Sequence, residues 1–139
     1  MGRGVETDVE QAEALYAKAA AQGHVKAADN YGLLLFQRGA REEALPYISA
    51  ASMRGDPRAQ YLLGIAHFNG DLVKKDWRRA YALLTLANSS GLPQARGALA
   101  QMDQYISIED RQAAQPLAAS LKAEAEAARS RQLAAADLG

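Results

Sequence analysis

Apolar positions recur every three or four residues along most of the chain, and small residues dominate among them. Ala27, Tyr31, Leu34 and Leu35 share one face of a helical segment, and Ala59, Leu63 and Ala66 share one face of another. This period predicts helices over residues 8–22, 25–38, 42–54, 57–69, 76–89 and 93–105. Ser107, followed by Glu109 and Asp110, is close to a capping box and predicts the start of a last helix. Pro116 is expected to kink or split that helix, which continues with good helix formers to about residue 133 and frays from Arg129 onward. No alternating apolar run is bounded by turn signals, so no strand is expected and the fold class is all-α.

The pattern repeats. Gly23 and Gly55 lie 32 positions apart, and Gly55 and Gly91 lie 36 apart. Each follows an Ala-rich or small-residue run, and each is followed four positions later by Ala27, Ala59 or Ala95. Four positions further on come Tyr31, Leu63 and Leu99, with Gly32 and Gly64 next in the first two copies and Ala100 in the third. The three spaced glycines read as left-handed helix C-caps. Asp56-Pro57 supplies an N-cap and a proline at the first helical position, whereas Leu92-Pro93 restarts a helix without a good cap. Gly32 and Gly64 fall inside helices at a cost of about 1 kcal/mol each, so close approach by a neighbouring helix is expected there. Connector lengths differ. Gly70 to Ala80 and Gly2 to Ala12 are ten positions, with Val5 and Asp8 matching Val73 and Asp76, while Gly39 to Ala44 is five. The first copy therefore begins in its connector, without its first helix. The stretch 55–91 is the most complete unit, with both the internal glycine and the long connector.

Composition narrows the function classes. Aromatics are only 6% of 139 residues, so Ala and Leu must build the core, which favours closely packed helices over sheets. Sixteen basic and 16 acidic residues balance, giving no global electrostatic drive toward nucleic acid or an anionic membrane. The absence of Cys excludes disulfides, thiol catalysis and Cys-ligated zinc. There is no targeting or membrane-spanning run, so no membrane insertion is expected. The compartment stays open: cytoplasmic, or periplasmic or secreted if a signal has been removed. Oligomeric state is likewise not read from the sequence.

Residues 2–8, Ala12, Tyr16, Ala19, Ala20 and Gly23 resemble the connector and second helix of a Sel-one-like repeat. Ala27, Tyr31-Gly32 and Leu35 resemble its first helix, as do Ala59, Leu63-Gly64 and His67, although an aromatic Tyr is usual where His67 stands. Asn69-Gly70, Val73, Asp76, Ala80, Ala87 and Gly91 complete the best copy. The resemblance covers residues 2–103 and includes full units at 24–55 and 56–91. It implies a right-handed α-solenoid of antiparallel helix pairs, related to tetratricopeptide repeats and used as an adaptor for protein complexes. Bacterial members are often linked to envelope, secretion or host-contact roles. Residues 1–106 are expected to form the repeats and 107–139 a C-terminal capping helix and tail. The short connector after Gly39 departs toward the tetratricopeptide pattern. The lack of Cys separates the chain from a disulfide-rich branch, so enzymatic claims attached to that branch do not carry over.

The expected function is a non-catalytic scaffold that binds a protein or peptide in the concave groove, with a glycan or cell-wall ligand as the alternative. No cofactor is expected. Candidate groove residues are Lys26, Asp29, Leu33, Phe36 and Gln37 on one helix and Arg58, Tyr61, Ile65, Phe68 and Asn69 on another. The competing reading is that these apolar second faces are buried between repeats. Lys74, Lys75, Arg78 and Arg79 form a basic cluster, read either as an anion-binding patch or, preferably, as a solvated connector beside Asp71 and Asp76. Trp77 reads as a packing anchor beneath that connector. His24 and His67 occupy different repeat positions, and no carboxylates recur near both at ligand spacing, which argues against metal or acid–base roles. No phosphate-loop, dinucleotide, nucleophile-elbow or zinc-helix motif is present.

Overall fold

The computed structural model describes residues 2–138, with side chains described for residues 8–135. Seven helices and no strands occur among the described residues. They are α1 (Gly2–Ala21), α2 (Val25–Gln37), α3 (Arg41–Met53), α4 (Pro57–Asn69), α5 (Trp77–Ser89), α6 (Pro93–Met102) and α7 (Ile108–Leu138). The chain divides into two compact units, Met1–Ile48 and Ser49–Gly139, with the boundary inside α3.

The helix ends follow local chemistry. Gly23, Gly55 and Gly91 stand at φ +90, +92 and +90, the left-handed region in which only glycine is unstrained. Amide hydrogen bonds back to the preceding turn close these ends, such as Asp56 N to Ala51 O at 3.0 Å and Leu92 N to Ala87 O at 3.1 Å. Asp56 caps α4 by accepting from Arg58 N, and Pro57 takes the first turn. Leu92 offers α6 no side-chain cap. Ser107 accepts from Asp110 N at 3.1 Å and so opens α7.

Three boundaries differ from expectation. Helix α1 includes residues 2–8, which sequence similarity placed in a connector. In the stretch before α5 the corresponding connector is tied down by α4, through Asp76 N to His67 O at 2.9 Å and Trp77 Nε1 to Phe68 O at 3.1 Å. Helix α6 stops at Met102, short of residue 105. Ile106 N bonds Met102 O at 2.8 Å in the turn that follows, and this turn delivers Ile106 to the core, where it is almost fully buried. Helix α7 continues through Pro116 as one element and reaches Leu138. Apolar packing on both sides of the proline, by Ala114, Leu117 and Ala118 against Ala82 and Leu86 of α5, offsets the lost backbone bond.

In the first unit α1 packs on α2. Gly32 of α2 faces α3 so closely that a β-carbon there would lie 2.6 Å from Tyr47 Cβ. The Tyr31 and Tyr47 rings meet edge to face at 4.9 Å. In the second unit α5 is central, packed by α4, α6 and α7. One cluster joins Ala80, Leu84 and Ala87 of α5 to Ala95, Met102 and Ile106. A second joins Ala82 and Leu86 to Ala114 and Ala118 of α7. Gly64 of α4 lies against Leu84 and Ala80, and a β-carbon there would collide with Leu84 Cδ2.

Two outcomes follow for stability. Gly64→Ala is expected to destabilise by about 1–3 kcal/mol through overpacking, despite its better helix propensity. Gly97→Ala, which meets nothing within 4 Å in α6, is expected to stabilise by about 0.5–1 kcal/mol. Urea denaturation of both variants checks the pair. Truncation after Met102 removes Ile106 and α7 and uncovers Ala82 and Leu86, so its melting temperature should fall; unchanged melting would contradict the capping role of α7.

Candidate interaction site

The ten sequence-selected residues lie on two helices, one in each unit. On α2, Lys26 and Gln37 are exposed, while Asp29, Leu33 and Phe36 are half-buried. The Arg41 guanidinium sits 5.1 Å from the Phe36 ring centroid, a cation–π contact that covers part of its face. On α4, Arg58 and Asn69 are exposed, while Tyr61, Ile65 and Phe68 are half-buried. These last three pack against the cluster of Ala80, Leu84, Ala95 and Met102.

The second unit gathers its aromatic residues at this place. Phe68 stacks on Trp77 with centroids 5.5 Å apart and planes 16° from parallel. Tyr105 meets the other side of the arrangement, 6.1 Å from Phe68 at an angle of 63°. Trp77 donates its indole N–H to Phe68 O at 3.1 Å, so its ring is oriented as well as packed. Lys75 Nζ lies 5.0 Å from the Trp77 ring. Tyr105 leaves 63% of its surface to solvent. It was not among the residues selected from sequence, because it lies in the turn after α6 and acquires its aromatic neighbours only through tertiary packing.

Asp56 combines capping with charge. Burial resists ionisation of its carboxyl, but the Arg58 guanidinium, bonded at 2.8 Å, and the backbone N–H groups of Arg58 and Ala59 outweigh it and hold the pKa below 3.8. The basic cluster before and within α5 is dispersed. Lys75 lies over Trp77, Arg78 bonds Asp110 of α7 at 2.8 Å, and Arg79 lines a pocket on another face of α4. This arrangement fits the solvated-connector reading. His67 is not a core side chain: its Nδ1 lies 2.9 Å from Lys74 O and helps hold the connector. Leu72 in the same connector has φ +69, a strained value for a branched side chain.

In the first unit a shallow pocket of about 390 Å³ lies among Val9, Ala14, Ala17 and Tyr31. Two of its charged members pair, Arg38 donating to both carboxylate oxygens of Glu13 at 2.8 and 2.9 Å, and Glu10 also lines it. Burial, and secondarily Tyr47 and Glu13, push the Tyr31 hydroxyl pKa up. Burial and then a hydrogen bond to Asp103 do the same for Tyr81. Among the described residues no three His, Cys, Asp or Glu side chains gather as a metal site. No described helix is long and apolar enough to cross a membrane.

Helix pairs joined at left-handed glycines, packed through small residues and closed by α7, define an all-α helical-repeat solenoid. Residues 1–24 and 57–92 match the Sel1 repeat model. The second match spans α4, its connector and α5, and the first spans α1 and its cap. Those two stretches of the chain are thus similar to the Sel1 repeat, and the fold is that of an α-solenoid. Its fold is similar to the crystal structure of a protective antigen present in uropathogenic Escherichia coli strains displaying an SLR fold. The TM-score is 0.70 at 23% identity, over 87% of this chain and 27% of that one. This chain therefore spans about a quarter of the length of that protein. Comparison with curated proteins gives no significant match. Sel1 repeat proteins generally serve as protein-interaction scaffolds and are typically non-catalytic.

The Asp56 cap gives a signed prediction. Asp56→Ala should cost about 1 kcal/mol at pH 7. The folded pKa is depressed, so the ionic part of this stability is present above the unfolded value and lost as pH falls through the folded one. The penalty should therefore shrink below about pH 4 in paired denaturation curves.

Proposed function

We propose that the chain is a non-catalytic scaffold that binds a protein or peptide through the faces carrying the selected residues. Lys26, Asp29, Leu33, Phe36 and Gln37 form the patch on α2, and Arg58, Tyr61, Ile65, Phe68 and Asn69 form the patch on α4. The observation that carries the reading is Tyr105, which exposes 63% of its surface while its ring touches Phe68, itself stacked on an oriented Trp77. Such a platform has a rigid apolar base and an open aromatic edge, the composition of interface hot spots. Exposed Arg58 and Asn69 on the same helix suit a polar rim. The similarity of residues 1–24 and 57–92 to the Sel1 repeat supports the scaffold role in general.

A glycan or cell-wall ligand is the second reading, favoured by the same exposed ring, which offers a stacking surface beside polar groups. Tyr105→Ala and Phe36→Ala separate the readings without removing a buried side chain. In a cross-linked pull-down, each variant is expected to lose a specific protein captured by the wild type, with about tenfold or greater weakening for a central anchor. Loss of glycan binding with protein capture intact would support the second reading. Retention of both, with wild-type circular dichroism, would contradict the placement of the surface.

A further inference from the structure

Three helices carry the same stripe of small, large, large and small residues on one face. It reads Ala12, Leu15, Tyr16 and Ala19 on α1, Ala44, Tyr47, Ile48 and Ala51 on α3, and Ala80, Leu83, Leu84 and Ala87 on α5. On α3 and α5 a neighbouring helix covers the stripe with a glycine at its centre. Gly32 of α2 lies over Tyr47 and Ile48, and Gly64 of α4 lies over Ala80, Leu83 and Leu84. The covered stripes are closed to solvent. Ala44, Ile48 and Ala51 are at most 2% exposed, as are Ala80, Leu83, Leu84 and Ala87.

On α1 the stripe is open. Leu15 exposes 69% of its surface, against 2% for Leu83 at the matching position of α5. Ala12, Tyr16 and Ala19 are half-buried. Helix α2 meets α1 on another side, where Arg38 bonds Glu13. The stripe selects its cover by shape. Two large side chains at its centre need a facing backbone without a β-carbon, and the alanines at its ends let two helices come close. A second copy of the folded chain does not offer such a helix. Its Gly32 and Gly64 are themselves buried, and α6 has Ala100 in that register and turns Arg96, Gln101 and Gln104 to solvent.

We propose that the Leu15 face of α1 docks a glycine-centred amphipathic helix of another polypeptide, seated as α4 is seated on α5. The partner's glycine lies over Leu15 and Tyr16, and its apolar side chains on either side of the glycine reach Ala12 and Ala19. The contact repeats in trans one that the chain already makes twice within itself, at Gly32 and at Gly64. It does not rest on the α2 and α4 patches proposed above.

The probe is a synthetic peptide of residues 55–70, which contains Gly64 and the whole of α4. It is titrated into the full chain and followed by amide NMR shifts. Saturable shifts are expected at Ala12, Leu15, Tyr16 and Ala19. Leu15→Gln substitutes an exposed side chain, so the fold is kept, and should weaken binding about tenfold or more. Leu133→Gln removes a leucine of α7 that is also 69% exposed and should leave binding unchanged. A peptide carrying Gly64→Leu is the better helix former, yet it should bind at least about tenfold more weakly. No saturable shift on this face, equal weakening by Leu133→Gln, or equal or tighter binding of the Gly64→Leu peptide would overturn the proposal. So would a concentration-dependent dimer of the chain alone that Leu15→Gln abolishes, since a second copy would then hold the face.

Discussion

The second unit depends on how closely α4 approaches α5 at Gly64. Helix propensity alone disfavours glycine there, by about 1 kcal/mol against alanine. The compensation is spatial. Without a β-carbon, the α4 backbone comes within reach of Leu84 and Ala80, and Ala59, Leu63, Ala80 and Leu84 all become buried. A core poor in aromatics can be dense only if backbones come near one another, because alanine reaches only a short way. Gly32 serves the same end in the first unit, where it faces Tyr47 of α3. The repeat is thus a device for bringing small residues into contact at a fixed interval, and the capping glycines set the direction of return.

With α4 and α5 fixed, the connector becomes a structural element in its own right. His67 and Phe68 hold it from below through Lys74 O, Asp76 N and Trp77 Nε1. This also separates the charges of the connector and of the first turn of α5. Lys75 lies over the Trp77 ring, Arg78 bonds Asp110 and Arg79 lines a pocket. It also explains how an aromatic platform arises in so Ala-rich a chain. The stacked Phe68 and Trp77 rings are a by-product of securing the connector, and Tyr105 extends them to the surface.

What could be read from sequence was whatever a few adjacent residues decide. Gly23, Gly55 and Gly91 end helices because their own φ requires glycine, and Asp56-Pro57 and Ser107 start helices by bonding within one turn. Gly32 and Gly64 were legible because the repeat register placed them opposite a neighbour. The errors fall where distant contacts overrule local preference. Packing on α5 keeps α7 one element across Pro116, so the helix is not split there, and α6 ends at Met102 before the turn that buries Ile106. Tyr105 is not legible in the sequence for the same reason. It sits in the turn after α6, and Phe68 of α4 gives it its aromatic neighbour.

The claim that glycine-permitted approach organises the fold is tested most directly by a double-mutant cycle of Gly64→Ala and Leu84→Ala. Leu84 Cδ2 is the atom a new β-carbon would meet first, so shortening Leu84 makes room for it. The account predicts strong coupling: the double variant should be more stable than the sum of the two single losses by about 1 kcal/mol or more. Additive losses, within about 0.3–0.5 kcal/mol, would show that Gly64 is not held by that contact and would contradict the account.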